Sequence, residues 1–140
     1  MKAPAKDYDV ILFDLGGVLV ELSGIEAMRR WMGSEVTEEE QWSLWLKSES
    51  VRSFETGRIG PAEFSSSIIR EFQLPVSEST FLWEFETWAK GIYPGTVGLL
   101  QTLRKDYRLA CLSNNNEIHW PRIRDEMGFL HLFSTHFSSH

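Results

Sequence analysis

The segment Val10-Ile11-Leu12-Phe13-Asp14-Leu15-Gly16-Gly17-Val18-Leu19-Val20 constrains the architecture of this chain more than any other. Its first four residues are apolar, β-branched at the start and too few for a typical helix, which predicts a strand buried on both faces, as in a parallel sheet. Asp14 follows at the strand's carboxyl end, and in open α/β sheets the crevice outside that end is where ligands bind. Gly16 and Gly17 then let the backbone turn tightly and approach whatever Asp14 faces. Taken alone, the same pattern also describes a strand, a turn and a second β segment with no chemistry.

A chain of 140 residues fits one compact domain, or a small domain with an insertion, and can bury a real core. Its net charge of −6 and lack of a basic patch argue against nucleic acid as a partner. They do not exclude small anionic substrates, because a metal ion can reverse the local field. No stretch is long enough to span a membrane. Asp14 interrupts the only leading apolar stretch and no small-residue cleavage site follows it, so no signal peptide is read there. The single Cys111 excludes an internal disulfide, lies in an apolar run as an inert buried thiol, and suits a reducing, cytoplasmic setting.

After Val20 the pattern changes: from Glu21 to about Lys90 helical signals dominate and no convincing strand appears. Thr37-Glu38-Glu39-Glu40 is a capping-box start, and Trp42, Trp45 and Leu46 follow at helical spacing, predicting a buried aromatic face. Gly60-Pro61 opens the next helix, whose buried stripe is Phe64, Ile68, Ile69 and Phe72. Ser77 caps a third, with Phe81, Leu82, Phe85 and Trp88 on one side. A break at Tyr93-Pro94-Gly95 precedes a helical pattern over 96–105. Arg108-Leu109-Ala110-Cys111-Leu112 reads as a second apolar strand ending at Ser113-Asn114-Asn115-Asn116, and 117–128 reads as helix. His119, near that helix start, is expected on the surface or in packing rather than as a base, since no partner for it is evident. A third strand is expected within 133–139. Strand, inserted helices, helix, strand is the order of a parallel sheet with right-handed crossovers, which brings Asp14 and Ser113 to one edge. Ser113 to Asn116 also suits a plain loop and helix cap.

A carboxylate at a strand end can attack phosphorus and form an aspartyl-phosphate that water then hydrolyses. Such a site needs a cation and donors on the phosphoryl oxygens. Asp14 can serve as nucleophile and metal ligand, the Gly16 carbonyl as a second hard oxygen donor suited to Mg²⁺, and Ser113 with the backbone N–H of Asn114 as phosphate-binding groups.

These residues resemble the haloacid dehalogenase-like hydrolases, most of them Mg²⁺-dependent phosphatases, over nearly the whole chain. Ile11 to Leu19 resembles that family's first motif with Asp14 at the nucleophile, and Leu112-Ser113-Asn114 resembles its second. The helical stretch between them is similar to the mobile cap inserted after the first motif, and Phe54-Glu55-Thr56-Gly57-Arg58-Ile59 and Tyr93-Pro94-Gly95 resemble recurrent phrases of that subgroup. The resemblance implies an α/β fold: a three-layer, Rossmann-like parallel sheet core over 1–20 and 91–140 with an α-helical cap over 21–90. It implies hydrolysis of a small phosphorylated metabolite with Mg²⁺. It also implies three further groups. A second Asp two residues after the nucleophile serves as general acid and base, and here that position is Gly16. A Lys after the third strand and acidic residues after a fourth fall beyond His140, and Lys90 and Lys105 come too early to replace that Lys. A chain ending there leaves Val10 to Phe13 as an open apolar edge, for which self-association or strand exchange is expected.

Two functions follow from this reading: a phosphatase acting through Asp14, and a truncated, catalytically incompetent relative acting as a binding or interaction module. A flavodoxin-like or receiver domain also places an Asp at a strand end, but does not account for an insertion over 21–90. A dehalogenase specialised for haloacids fits less well, since its first motif carries a different pattern after the nucleophile.

Overall fold

The computed structural model describes residues 8–33 and 35–140, so the approach to the first strand over 1–7 lies outside the described residues. In chain order, β1 (Val10–Phe13) and β2 (Val20–Leu22) lead into α1 (Gly24–Met32), α2 (Glu38–Lys47), α3 (Glu49–Glu55), α4 (Pro61–Phe72) and α5 (Glu78–Glu86). Then come β3 (Ala89–Ile92), α6 (Thr96–Leu103), β4 (Arg108–Ser113), α7 (His119–Pro121, continued by a wider turn over Arg122–Glu126) and β5 (Thr135–Ser138). The fold is α/β, with β1, β4 and β5 forming a parallel Rossmann-like sheet in the order β1-β4-β5.

Helix starts follow the local chemistry. Thr37 and Glu40 close a reciprocal capping box on α2, with the Glu40 N–H donating to Thr37 Oγ1 at 3.2 Å and the Thr37 N–H to Glu40 Oε2 at 2.8 Å. Pro61 takes the first position of α4, and Ser77 Oγ accepts the Thr80 N–H to start α5. Ser48 does the same for α3, accepting from the Val51 N–H, a break that the sequence reading did not separate from α2.

The buried residues fall into two clusters. One sits on a single face of the sheet, where Ile11 and Phe13 of β1 and Leu109 and Cys111 of β4 meet Leu100 of α6 and Trp120 and Ile123 of the α7 segment. The other lies within the helical insertion, around Phe54, Phe64, Ile68, Phe81, Phe85 and Trp88. Because strand side chains alternate, the second sheet face carries Val10, Leu12, Leu112 and Phe137, and it is open, with these residues 44, 58, 53 and 55% exposed. β1 is an edge strand of the sheet.

Three expectations need correction. Two short strands bound the stretch read as wholly helical: β2 pairs antiparallel with β3, tying the entry of the insertion to its exit. α2 buries only part of its aromatic face: Trp45 packs on the helical core against Phe64, Phe85 and Trp88, while Trp42 and Leu46 are 37 and 70% exposed and the fully buried residue is Gln41. That helix borders a cleft, so its apolar stripe is shared between core at Trp45 and open space at Trp42 and Leu46. β1 is not buried on both faces, because Val10 and Leu12 are exposed. The tight turn after Asp14 does run through Gly16 and Gly17, the Leu15 carbonyl accepting the Val18 N–H across them. The left-handed residue is Gly17, at φ 74°, whereas a Cβ on Gly16 would lie 3.0 Å from Leu22 Cδ1.

Candidate functional site

Asp14 and Ser113 come together because of strand register. Phe13 pairs with Cys111 in parallel, so the residues that follow, Asp14 after β1 and Ser113 at the end of β4, leave the sheet at one edge. Asp14 is exposed there, and its Oδ1 accepts the Leu15 N–H at 2.7 Å, which orients the carboxylate. The loop behind it is tight: the Leu15 carbonyl accepts from the N–H groups of Val18, Leu19 and Val20, and the Gly17 N–H donates to the Val20 carbonyl. The Gly16 carbonyl accepts none of these bonds.

The loop after β4 divides its duties by residue. Asn116 is the helix cap, its Oδ1 accepting from the N–H groups of Ile118 and His119 at 3.1 and 2.9 Å. Asn114 is exposed beside Ser113 and lines the cleft with it. Ser113 is buried, and its Oγ donates to the Asn114 carbonyl at 3.2 Å. Ser139, just past β5, holds this loop by accepting the Asn115 N–H at 2.9 Å and donating to the Asn115 carbonyl at 3.3 Å. Nothing in the sequence singled out Ser139, because its role depends on the β4–β5 register.

Asp14, Gly16, Ser113 and Asn114 form part of the wall of a cleft of about 720 Å³ between the sheet edge and the helical insertion. The insertion contributes Trp42 and Trp45 from α2 and Arg52 and Glu55 from α3. Gln41 also borders it, with an amide that has no hydrogen-bond partner among the described residues. Glu55 is half-buried in the cleft wall that Asn114 also lines; desolvation raises its carboxyl pKa above the usual value, the Asn114 side chain opposing that shift. Glu55 lies within the phrase Phe54 to Ile59 already noted, but only the fold turns it toward the cleft. Under the site, Cys111 is fully buried, and burial, with the Asp14 charge adding to it, pushes its thiol up to about 11, which keeps it inert.

His119 is the joint between the two halves and not a surface residue. Its Nε2 contacts the Phe85 carbonyl at 2.6 Å, its Nδ1 contacts Asn116 Nδ2 at 3.2 Å, and its ring stacks on Phe85 at 4.3 Å. A carbonyl only accepts and an amide NH₂ only donates, so the neutral Nε2–H tautomer satisfies both nitrogens, and a second proton on Nδ1 would oppose the Asn116 NH₂. Burial lowers the His119 pKa, the Phe85 carbonyl opposing and the Arg122 charge reinforcing that shift. With the folded pKa below the unfolded value of about 6.5, the unfolded chain takes up the proton first as pH falls. Stability contributed by neutral His119 is therefore present above about pH 6.5 and lost progressively below it. Histidine ring NMR is expected to show the His119 imidazole titrating below the ordinary value, with Tm falling over the same range; a midpoint at or above about 6.5 for His119 would contradict this.

Among the described residues no helix is long and apolar enough to cross a membrane. A family model described as haloacid dehalogenase-like hydrolase matches residues 8–140. No curated protein matches the chain. Among solved structures, the chain is similar to the HAD family enzyme bt-2542 from Bacteroides thetaiotaomicron in complex with magnesium and inorganic phosphate, at 27% identity and TM-score 0.62, over 94% of this chain and 68% of that one. A predicted HAD-like family hydrolase from Porphyromonas gingivalis matches at 23% identity and TM-score 0.62, over 94% and 66%. The L-2-haloacid dehalogenase of Xanthobacter autotrophicus, solved with chloropropionic acid covalently bound, matches at 18% and TM-score 0.53, over 93% and 56%. The chain thus spans about two thirds of the length of the first two.

Proposed function

Because the chain belongs to the haloacid dehalogenase-like hydrolases, we propose that it is a phosphatase that hydrolyses a small phosphorylated metabolite through an aspartyl-phosphate on Asp14. In this reading the sheet of 1–20 and 91–140 is the core and the helices of 21–90 are its cap. The observation that carries it is the convergence of Asp14 and Ser113 at one sheet edge, on the wall of a cleft that the helical insertion completes. The Asp14 carboxylate attacks phosphorus, and the Ser113 hydroxyl and Asn114 N–H donate to the phosphoryl oxygens as charge builds on them. Gly17, left-handed at φ 74°, lets the loop close tightly behind the nucleophile.

The residues present fit Mg²⁺ in part. Asp14 and the Gly16 carbonyl are hard oxygen donors, and Mg²⁺ keeps several waters and takes substrate phosphate oxygens as well. Among the described residues no group of three His, Cys, Asp or Glu side chains stands ready to hold a metal. When bound, the ion supplies charge neutralisation between the carboxylate and the phosphoryl group. The bt-2542 structure with magnesium and inorganic phosphate supports this choice. A cytoplasmic setting agrees with the single, buried thiol.

Hydrolysis of an aryl phosphate tests the reading. Turnover is expected with Mg²⁺ and is lost on chelation; a preparation that turns over neither with nor without the metal sinks it. The open sheet face and the β1 edge favour a second reading, an interaction module that self-associates or exchanges strands through β1. Concentration-dependent association without turnover is its signature.

A further inference from the structure

Splitting a phosphate ester leaves an alkoxide that needs a proton, and the water that releases the phosphoenzyme must lose one. Gly16 offers no side chain for either transfer. Among the described residues the titratable groups lining the cleft are few: Asp14 at the end of β1, Arg52 and Glu55 from α3, and His119 from α7. Asp14 is the nucleophile, and Arg52 stays charged at all working pH values. His119 is buried with both ring nitrogens engaged, by the Phe85 carbonyl and the Asn116 amide. Glu55 remains.

The fold holds Glu55 where such a group is useful. It is the last residue of α3, directly after Phe54, whose ring is buried and stacked on Phe64 at 4.3 Å, so the helix end is anchored in the insertion's core. The following turn is pinned by the Gly57 N–H to the Phe54 carbonyl at 3.0 Å and the Arg58 N–H to the Ser53 carbonyl at 2.8 Å. Glu55 lines the same cleft as Asp14, Ser113 and Asn114. Its position at a helix C-terminus, where carbonyl ends disfavour another negative charge, and its partial burial both favour the protonated form. Other charged groups lie beside this turn: Glu49, paired with Arg58 at 3.6 Å, and Glu117 on the β4–α7 loop, with Oε1 3.9 Å from where a Cβ on Gly60 would sit.

We propose that Glu55 is the general acid and base of this site, supplied by the insertion in place of a side chain at position 16. The inference rests on the phosphatase reading above. In the first step the Asp14 carboxylate forms a bond to phosphorus, the bond from phosphorus to the leaving oxygen breaks, and the Glu55 proton passes to that oxygen, releasing the alcohol. In the second, Glu55 carboxylate takes a proton from a water that attacks phosphorus, the bond from phosphorus to Asp14 breaks, and inorganic phosphate leaves with both carboxyl groups restored. Because the donor sits on the insertion and the nucleophile on the sheet, the proton is in place only when the two halves face each other.

Glu55→Gln keeps the size and polarity of the side chain but removes the exchangeable carboxyl proton. It is compared with the parent chain on an alkyl phosphate, whose leaving group needs a proton, and on dinitrophenyl phosphate, whose leaving group does not. The expected result is a loss of about 10²–10⁴-fold in kcat/KM on the alkyl ester and much less on the aryl ester. In the parent, kcat/KM for the alkyl ester falls as pH rises through the Glu55 pKa; the Gln variant lacks that limb, and Glu55→Asp keeps it at a lower rate. Equal losses on both esters, or no loss on the alkyl ester, overturn the proposal while leaving the phosphatase reading standing. A parent chain that hydrolyses neither ester with Mg²⁺ overturns both. Retained aryl turnover in the Gln variant shows that the site is still folded, and if that variant does not fold, absence of the alkaline limb in Glu55→Asp overturns the assignment.

Discussion

Asp14→Asn is expected to reduce turnover on the order of 10⁴–10⁶-fold, the scale seen when a covalent nucleophile is removed. An amide does not attack phosphorus at a useful rate, and it is also a poorer ligand for a hard cation than a carboxylate. The fold has little reason to respond. Asp14 is exposed, and the bond its side chain makes among the described residues, from the Leu15 N–H at 2.7 Å, can be kept by the Asn Oδ1. Stability is therefore expected to stay within about 0.5 kcal/mol of the parent, as for other exposed substitutions. Rapid acid quenching with labelled substrate separates the two roles: the parent traps label on the Asp14 peptide and the variant traps none. A variant that keeps a tenth of the parent rate would mean that another group attacks phosphorus.

Phe64→Ala is expected to cost about 3–5 kcal/mol of stability, the range for deleting a buried aromatic ring. Phe64 is fully buried, stacked on Phe54 at 4.3 Å and set against Phe85 at 5.2 Å, Phe81 at 5.7 Å and Trp45 at 6.4 Å. No neighbour collapses into that space without leaving its own contacts. A domain of this size has roughly 5–15 kcal/mol in total, so the variant loses a large share of its margin. Thermal melts read by far-UV circular dichroism and by tryptophan fluorescence check this; a loss under about 1 kcal/mol would show that the cluster refills the cavity. The damage is also expected to reach the cleft, because Phe54 anchors Glu55 and Trp45 lines its wall.

What the sequence made legible was whatever depends on neighbours along the chain. The apolar run before Asp14, the second run before Ser113, the Thr37 capping box, Pro61 and Ser77 each carry their signal within a few residues, and each lies where it was expected. Apolar spacing on α2 announced a helix but not which side faces core, because a stripe lining a cleft and a stripe lining a core have the same period. β2 and β3 were invisible because each is short and gains its identity only from a partner far along the chain. Glu55 and Ser139 join the cleft through tertiary register alone. Gly16 and Gly17 turn the chain as their type suggests, but the Leu22 side chain that also limits position 16 comes from across the β2 turn, which sequence spacing does not show.

The chain passes from sheet to helices along β2 and returns along β3, and these strands are paired, Val20 with Ile92 and Leu22 with Ala89. Paired strands lie about 4.8 Å apart, so the whole helical segment begins and ends at nearly one point. Topologically it is a loop closed at its neck, and a closed loop can be lengthened, shortened or replaced without re-threading the sheet. The neck makes the helical segment a cassette: grafting a different helical bundle between Leu22 and Ala89 would change what enters the cleft, and which acid it brings, while Asp14 and Ser113 stay where β1 and β4 put them.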